Sequence, residues 1–266
     1  MRKLPGPEKI RQPPMPASKQ PPQTTVVDDV AEQIAYRIAA GVYPAGSRLP
    51  SVRQFAGEFG INPSTVQNVL GRLSTDGFTV AHRGAGHVVQ DVAATGGIST
   101  LRYLFRFAHR IPERAAAILT DLLATRRTLV GEALRAIVAT PGSFHAEPVT
   151  RAIERLELAV AADPTDAATV VQIHLDAVRA LLLAVGQPVV LSIFNSVGEI
   201  LMTSPEVLSA MGASPELHVV AWKELSRQWE SGELNEDGIA WLQDAMREFD
   251  AQAVERFSMA VTRTAT

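Results

Sequence analysis

The 266-residue chain contains no cysteine. That absence removes disulfide frameworks, thiolate metal sites and cysteine nucleophiles together, and it fits a reducing compartment. Lysine is scarce beyond the N-terminus: after Lys19 only Lys223 remains, which leaves little material for a Schiff-base enzyme. No glycine-rich phosphate loop follows a strand pattern, and no nucleophile-elbow motif occurs. No apolar run approaches the roughly 18 residues needed to cross a bilayer, and the N-terminus lacks an apolar signal core. The expectation is a cytoplasmic chain without a membrane partner, and not an enzyme.

What is present suffices for a core, since 46% of the residues are hydrophobic, and the length suits one large or two ordinary domains. The formal net charge of -3 runs against nonspecific attraction to nucleic acid, which rests on Lys and Arg at phosphates. The positive charge is unevenly spread. Residues 1–26 hold Arg2, Lys3, Lys9, Arg11 and Lys19 against Glu8, and residues 48–83 hold Arg48, Arg53, Arg72 and Arg83 against Glu58 and Asp76. Residues 1–25 are rich in Pro, Gln and Lys with almost no periodic apolar content, so they read as a flexible tail: a solvated leader or a basic arm on DNA.

Residues 26–92 carry the densest signals. Val27, Val30, Ile34 and Ile38 line one face of a helix that ends at Gly41. A second helix runs from its N-cap Ser51 to Phe59, with Val52, Phe55, Ala56 and Phe59 on one side, and Gly60 closes it. A third has Asn62 as N-cap, Pro63 at its first position and a buried stripe of Val66, Val69, Leu70 and Leu73. Its outer face carries Ser64, Thr65, Gln67, Asn68 and Arg72. Two short helices joined by Gly-Ile-Asn, the second starting with hydrogen-bonding side chains, form a helix-turn-helix with a recognition helix for the major groove. Phe78 and Val80, then Val88 and Val89, flank His82-Arg83-Gly84-Ala85-Gly86-His87. This reads as a β-hairpin wing whose Arg83 and Gly84 approach a phosphate backbone or minor groove, with His82 and His87 as plain strand residues.

The order Gly-Xaa-Tyr-Pro-Xaa-Gly-Ser-Arg-Leu-Pro-Ser, Val-Arg-Xaa-Phe-Ala, Asn-Pro-Ser-Thr-Val and Leu-Xaa-Xaa-Asp-Gly-Phe resembles the N-terminal domain of GntR-family bacterial transcription regulators over about residues 26–91. The resemblance implies DNA contacts by Arg53, by Ser64, Thr65 and Gln67, and by the wing tip Arg83 and Gly84. Arg48, Ser51, Asn68 and Arg72 complete the candidate DNA-binding set. Arg53 could instead be a surface arginine in a weak ion pair, and Arg72 a solvated or phosphate-adjacent side chain without specificity. Several relatives have arginines where Pro63 and Gln67 stand; glutamine suits adenine and arginine suits guanine, so their operators do not transfer.

Residues 93–98 read as a linker, and residues 99–266 as an all-helical domain for effector binding and dimerisation. Helices are expected over 112–140, 146–162, 165–185, 188–203, 205–211, 215–231 and 235–262, preceded by an apolar face of Leu101, Leu104, Phe105 and Ala108. The fold class is therefore mainly α: a winged helix-turn-helix followed by an antiparallel bundle of six to eight helices. Residues 174–201 resemble the helix, break and helix of the ligand-binding domain in the FadR branch of the GntR family. Many members of that branch hold a divalent metal through one Asp and three His. Here His174, Val178, Trp222 and Asp250 fall where those ligands are expected, so no metal and no other cofactor is expected. The resemblance then points to the fatty-acid-responsive members and an apolar cavity lined by Leu104, Phe105, Phe107, Leu182, Ile193, Phe194, Val197, Leu201 and Trp222. The candidate effector-binding residues are Arg102, Phe105, Arg106, His109, His174, Arg179, Phe194, Asn195 and Trp222, although such apolar stripes are more often plain core.

The expected function is a sequence-specific repressor, a homodimer on pseudo-palindromic double-stranded operator DNA. Its affinity is set by a small-molecule effector, an acyl-CoA or fatty-acid-type ligand or an organic acid. The alternatives are a DNA-binding dimer without a ligand and, less well supported, a pyridoxal-phosphate-linked regulator.

Overall fold

The computed structural model describes residues 25–84 and 86–263, and the expected tail at 1–25 lies outside them apart from Thr25. Twelve α-helices and one two-stranded sheet account for about three quarters of the described residues. The first unit is built from α1 (Val26–Ala39), α2 (Val52–Phe59), α3 (Pro63–Thr75) and a hairpin of β1 (Thr79–His82) with β2 (Gly86–Val89). The strands are antiparallel, in the register Thr79 to Val89 and His82 to Gly86. Ser47 and Leu49 add backbone hydrogen bonds to β2, so the segment before α2 is stitched to the wing.

The local chemistry explains these boundaries. Thr25 and Asp28 make a capping box at α1, and Ser51 and Gln54 make another at α2. Gly60 follows α2 with φ +64°, the left-handed conformation that closes a helix without a Cβ clash. Asn62 Oδ1 accepts from Thr65 N at 2.8 Å and caps α3. Val30, Ile34 and Ile38 of α1 pack with Phe55, Val66, Val69, Leu70, Leu73, Phe78 and Val89 in one apolar core.

The expected linker contains a one-turn helix, α4 (Val92–Thr95), capped by Asp91. α5 (Ile98–Arg106) follows, and a 3-10 turn covers Ala108–Arg110. α5 has two apolar faces. Phe105 and, past its end, Ala108 enter the core of the second unit, as the sequence suggested, while Tyr103 and Phe107 complete the winged-helix core. Tyr103 stacks edge-on to Phe78, and its hydroxyl accepts from Arg72 Nε at 3.1 Å. The Thr100 hydroxyl donates to the Asp76 carbonyl beside Gly77, whose φ of +81° and closeness to Thr100 exclude a side chain there. The two units thus share α5 rather than meeting at a bare linker.

The bundle continues with α6 (Pro112–Ala139), α7 (Glu147–Ala162), α8 (Ala167–Ala184), α9 (Pro188–Leu201), α10 (Pro205–Met211), α11 (Pro215–Ser231) and α12 (Glu236–Arg263). With α5 this makes eight helices, at the upper end of the expected range. The two 28-residue helices, α6 and α12, run antiparallel along the middle, with Arg126 opposite Asp250 and Arg135 opposite Glu236. One expectation is corrected: α8 has 18 residues and a mean hydropathy of 1.4, so by length and composition it could cross a membrane. Its Gln172, His174, Asp176 and Arg179 interrupt the apolar run without lowering the mean far. Val170, Val171, Leu175, Ala177, Val178, Leu181 and Leu182 are buried, and α8 is a core helix of the bundle.

Because Tyr103 fills the winged-helix core from outside it, Tyr103→Ala is expected to lower the stability of that unit by about 3–5 kcal/mol. Tyr103→Phe, which loses only the hydroxyl, should lower it by about 1 kcal/mol. Urea unfolding followed at residues 26–91 by hydrogen exchange measures both.

Candidate functional site

The winged helix presents its polar residues as a surface. α3 buries Val66, Val69, Leu70 and Leu73, so Ser64, Gln67, Asn68 and Gly71 fall at helical spacing on the opposite, exposed stripe. The side chains of Gln67 and Asn68 have no hydrogen-bond partner among the described residues, which leaves both amides available. Ser64 and Thr65 donate their hydroxyls to Asn62 Oδ1 at 2.7 and 2.9 Å and cluster at the α3 N-terminus, where the helix dipole favours an anion. Ser51 is spent on its capping box, with Oγ donating to Gln54 Oε1 at 2.8 Å. Arg48, Arg53 and Arg83 are exposed and have no ion-pair partner among the described residues. Gly84 has φ +79° at the wing tip. His82 ends β1, and His87 Nδ1 on β2 lies 3.2 Å from the Ser74 hydroxyl, as strand residues.

Arg72 behaves differently from its sequence expectation. Its guanidinium pairs with Asp28 and lies 3.6 Å from Asp76, and Nε donates to the Tyr103 hydroxyl. It ties α1, α3 and α5 together, with 43% of its side chain still exposed. Sequence spacing places Arg72 on α3 but cannot show that Asp28, 44 residues earlier, meets it.

In the bundle the candidate effector residues do not converge. Only His174 and Trp222 line one cavity, of about 380 Å³, between α6, α8, α11 and α12. Arg102 pairs with Glu199 and Arg106 with Glu32, both near the surface. His109 Nε2 lies 3.0 Å from Glu206 and Nδ1 3.2 Å from the Val261 carbonyl, so it joins the 3-10 turn to α10 and α12. Arg179 donates to Asn195 and Asp176 and lies over the Phe194 ring. Phe105 and Phe194 are bundle core, as are Leu182, Val197 and Leu201, while Leu104 is buried, Ile193 is exposed and Phe107 belongs to the winged-helix core. Helical periodicity identifies these faces as apolar, and packing closes most of them.

The cavity holds residues that the sequence reading missed. Arg126, only 1% exposed, donates from one terminal nitrogen to Asp250 Oδ1 at 2.6 Å and from the other to His174 Nε2 at 3.1 Å. Arg127 pairs with the other oxygen of Asp250. His218 Nδ1 lies 2.9 Å from His174 Nδ1, and its Nε2 lies 3.1 Å from the Met211 carbonyl. Trp222 Nε1 lies 3.0 Å from His174 Nδ1. The available hints were the Arg126-Arg127 pair within a mostly apolar helix and His218 one turn before Trp222. Val130, Leu217, Val220, Ala221, Trp241, Leu242, Met246 and Phe249 supply apolar walls.

These groups do not fit a divalent metal. A guanidinium stands between His174 and Asp250 and is bonded to both, putting a fixed cation where an ion would need to share them. Among the described residues no group of three or more His, Asp or Glu could hold a metal ion. Burial, with His218 and Arg126 nearby, holds the His174 imidazole well below its ordinary pKa, and burial brings His218 down to about 4.

Residues 26–89 match the family model of bacterial regulatory proteins, gntR family. Over 73 residues, 27% of this chain and 30% of the relative, the chain is 40% identical to an uncharacterized HTH-type transcriptional regulator of Mycobacterium tuberculosis. It is 26% identical over 172 residues to the fatty acid metabolism regulator protein of Serratia proteamaculans, covering 62% of this chain and 67% of that protein. The first curated relatives are matched over about a third of their own length. The solved structure of Lar, which controls the expression of the Listeria monocytogenes agr system, superposes with a TM-score of 0.54 at 15% identity, covering 89% of this chain and 98% of that one. That likeness extends the fold assignment to the bundle. The matched family and the named relatives are regulators of transcription and not enzymes.

Both imidazoles resist protonation in the fold but titrate near 6.5 when unfolded. The unfolded chain then binds more protons between those values. Stability is therefore complete above about pH 6.5 and declines as the pH falls toward 4, with roughly 3 kcal/mol from His218 alone by the lower end. Melting temperatures from pH 7 to 5 should fall, and His218→Gln should flatten that slope.

Proposed function

Taking residues 26–89 as a gntR-family winged helix, we propose that this protein is a cytoplasmic, sequence-specific repressor whose bundle senses a small molecule. The observation that carries the reading is the juxtaposition within one chain of a winged helix whose Arg48, Arg53 and Arg83 are exposed and have no ion-pair partner among the described residues, and a polar-floored apolar cavity. α3 enters the major groove, where Gln67 and Asn68 read base edges and the α3 N-terminus, Arg48 and Arg53 take phosphates. Arg83 and Gly84 bring the wing to the backbone or minor groove. A homodimer presents two such helices about 34–36 Å apart on a pseudo-palindrome.

The effector binds the cavity at His174 and Trp222 and is of fatty-acid, acyl-CoA or organic-acid type, in line with the name of the Serratia relative. Contacts that could carry its influence are continuous. α12 lines the cavity at its middle, and its later turns hold α5 through Phe257 against Phe105 and the 3-10 turn through the Val261 carbonyl. α5 in turn enters the winged-helix core. A ligand that prefers the arrangement incompatible with DNA weakens DNA binding, by about 5- to 150-fold for a coupling of 1–3 kcal/mol.

Footprinting of the purified protein on the DNA upstream of its own gene, with and without ligands, tests the proposal; no protected site at moderate salt under any condition would sink it. Arg53→Ala should weaken binding to all sequences by about tenfold and reduce the salt slope by about 1. Gln67→Ala should relax preference at one base pair by about 1–3 kcal/mol. Arg72→Ala should lower melting temperature more than it changes specificity.

A further inference from the structure

The winged helix is poor in cations for a unit that meets DNA. Residues 26–91 hold five arginines and no lysine against six carboxylates, a formal charge of -1. Two of the five already have partners: Arg37 pairs with Glu58 and lies over the Phe59 ring, and Arg72 pairs with Asp28 and bonds to the Tyr103 hydroxyl. Arg48, Arg53 and Arg83 remain, exposed and with no ion-pair partner among the described residues. They act against an acidic body, because residues 25–266, with 20 basic and 27 acidic side chains, carry a formal charge of -7. A field of that sign opposes the approach to DNA, and three arginines per protomer must overcome it.

The compensating charge stands ahead of the unit. Residues 1–24, which lie outside the described residues, hold Arg2, Lys3, Lys9, Arg11 and Lys19 against Glu8 alone, and three of the chain's four lysines are among them. The lysine ammonium is a compact point charge suited to phosphate. The same 24 residues include seven prolines. A proline ring fixes φ, so less freedom is lost when such a chain is laid along a groove.

The point of attachment suits this role. Residues 1–24 join the winged helix at Thr25, the N-cap of α1, and the first turn of α1 meets the last turn of α3 through Asp28 and Arg72. The junction is therefore beside the recognition helix, at the end away from its N-terminus. Lys19 is six residues from Thr25, a reach of up to about 20 Å, which is also the length of the 13-residue α3 at about 1.5 Å per residue.

We propose that residues 1–24 are a basic arm that follows the phosphate backbone of the DNA flanking α3 and supplies the larger share of the protein's phosphate neutralisation. This rests on the winged helix binding DNA and is independent of the effector. Such an arm adds affinity without sequence preference, because phosphates are alike at every base pair.

The test titrates the intact chain with a random-sequence duplex of about 40 base pairs, and with the DNA upstream of its own gene, from about 50 to 200 mM salt. It is compared with the intact chain carrying Arg2→Gln, Lys3→Gln, Lys9→Gln, Arg11→Gln and Lys19→Gln, which leaves every residue of both cores unchanged. The variant should bind both duplexes at least about tenfold more weakly, with a logarithmic salt slope smaller by at least about 2, since each phosphate contact contributes about 0.9. Amine acetylation of the wild-type protein, read by mass spectrometry, supplies the position: DNA should slow modification of Lys3, Lys9 and Lys19 and leave Lys223, on α11, unchanged. Equal slope and affinity in the two proteins overturns the arm and leaves the winged helix as the DNA-binding element. A loss confined to one duplex overturns the phosphate role. Lysines shielded without DNA and released by it place the segment on the acidic body, and modification that DNA does not change leaves it off the duplex; either result overturns the arm. Failure of the wild-type protein to bind either duplex at the lowest salt removes the DNA-binding reading and the arm together.

Discussion

The bundle is organised around one carboxylate shared by two guanidiniums. Asp250 lies near the midpoint of α12, opposite Arg126 and Arg127 near the midpoint of α6, and all three sit between the two longest helices. Removing a charge from water is strongly unfavourable, so a buried arginine is held only where its partners are fixed. That requirement ties α6 to α12 and also fixes His174, whose Nε2 must accept from Arg126, and through it the tautomer of His218. It makes the cavity floor donor-rich, and it puts a guanidinium at the place where the family resemblance would put a metal.

A second constraint joins the cavity to the surface. α5 belongs to two cores at once: Phe105 packs against Phe257 of α12, and Tyr103 packs against Phe78 under the wing. Such a helix cannot shift without repacking one side, because close-packed interiors accommodate discrete arrangements rather than gradual ones. Arg72, Arg106 and Arg114 reinforce the seam with bonds to Tyr103, Glu32 and the Ala39 carbonyl. The arginines of the winged helix thus divide into those that hold the fold and those, Arg48, Arg53 and Arg83, that face outward with no ion-pair partner among the described residues.

Much of the fold was legible in the sequence because the signals are local. Ser51, Asn62, Pro63, Gly60 and the apolar stripes set helix ends and buried faces within a few residues of themselves, and the bundle helices fall within a few residues of the expected spans. The candidate site was legible only in part. His174, Trp222 and Asp250 were placed together at the positions where relatives hold a metal, and the first two line one cavity, but Arg126 and His218, which give it its charge and hydrogen-bond polarity, were not gathered with them. Arg102, Arg106, His109 and Arg179 are polar residues on the right helices, and each is taken up by a partner that lies far away in the chain or on another element.

The sequence by itself determined the helix-turn-helix, the wing and the mainly helical character of the described residues after Gly97, because capping, periodicity and glycine conformations act over one or two turns. Only the tertiary structure decided that Arg72 is held by Asp28 and Tyr103, that α5 closes both cores, and that Arg126, Asp250, His174 and His218 meet. Those outcomes depend on which faces of distant helices come together, and ion pairs 44 and 124 residues apart leave no periodic trace in the chain.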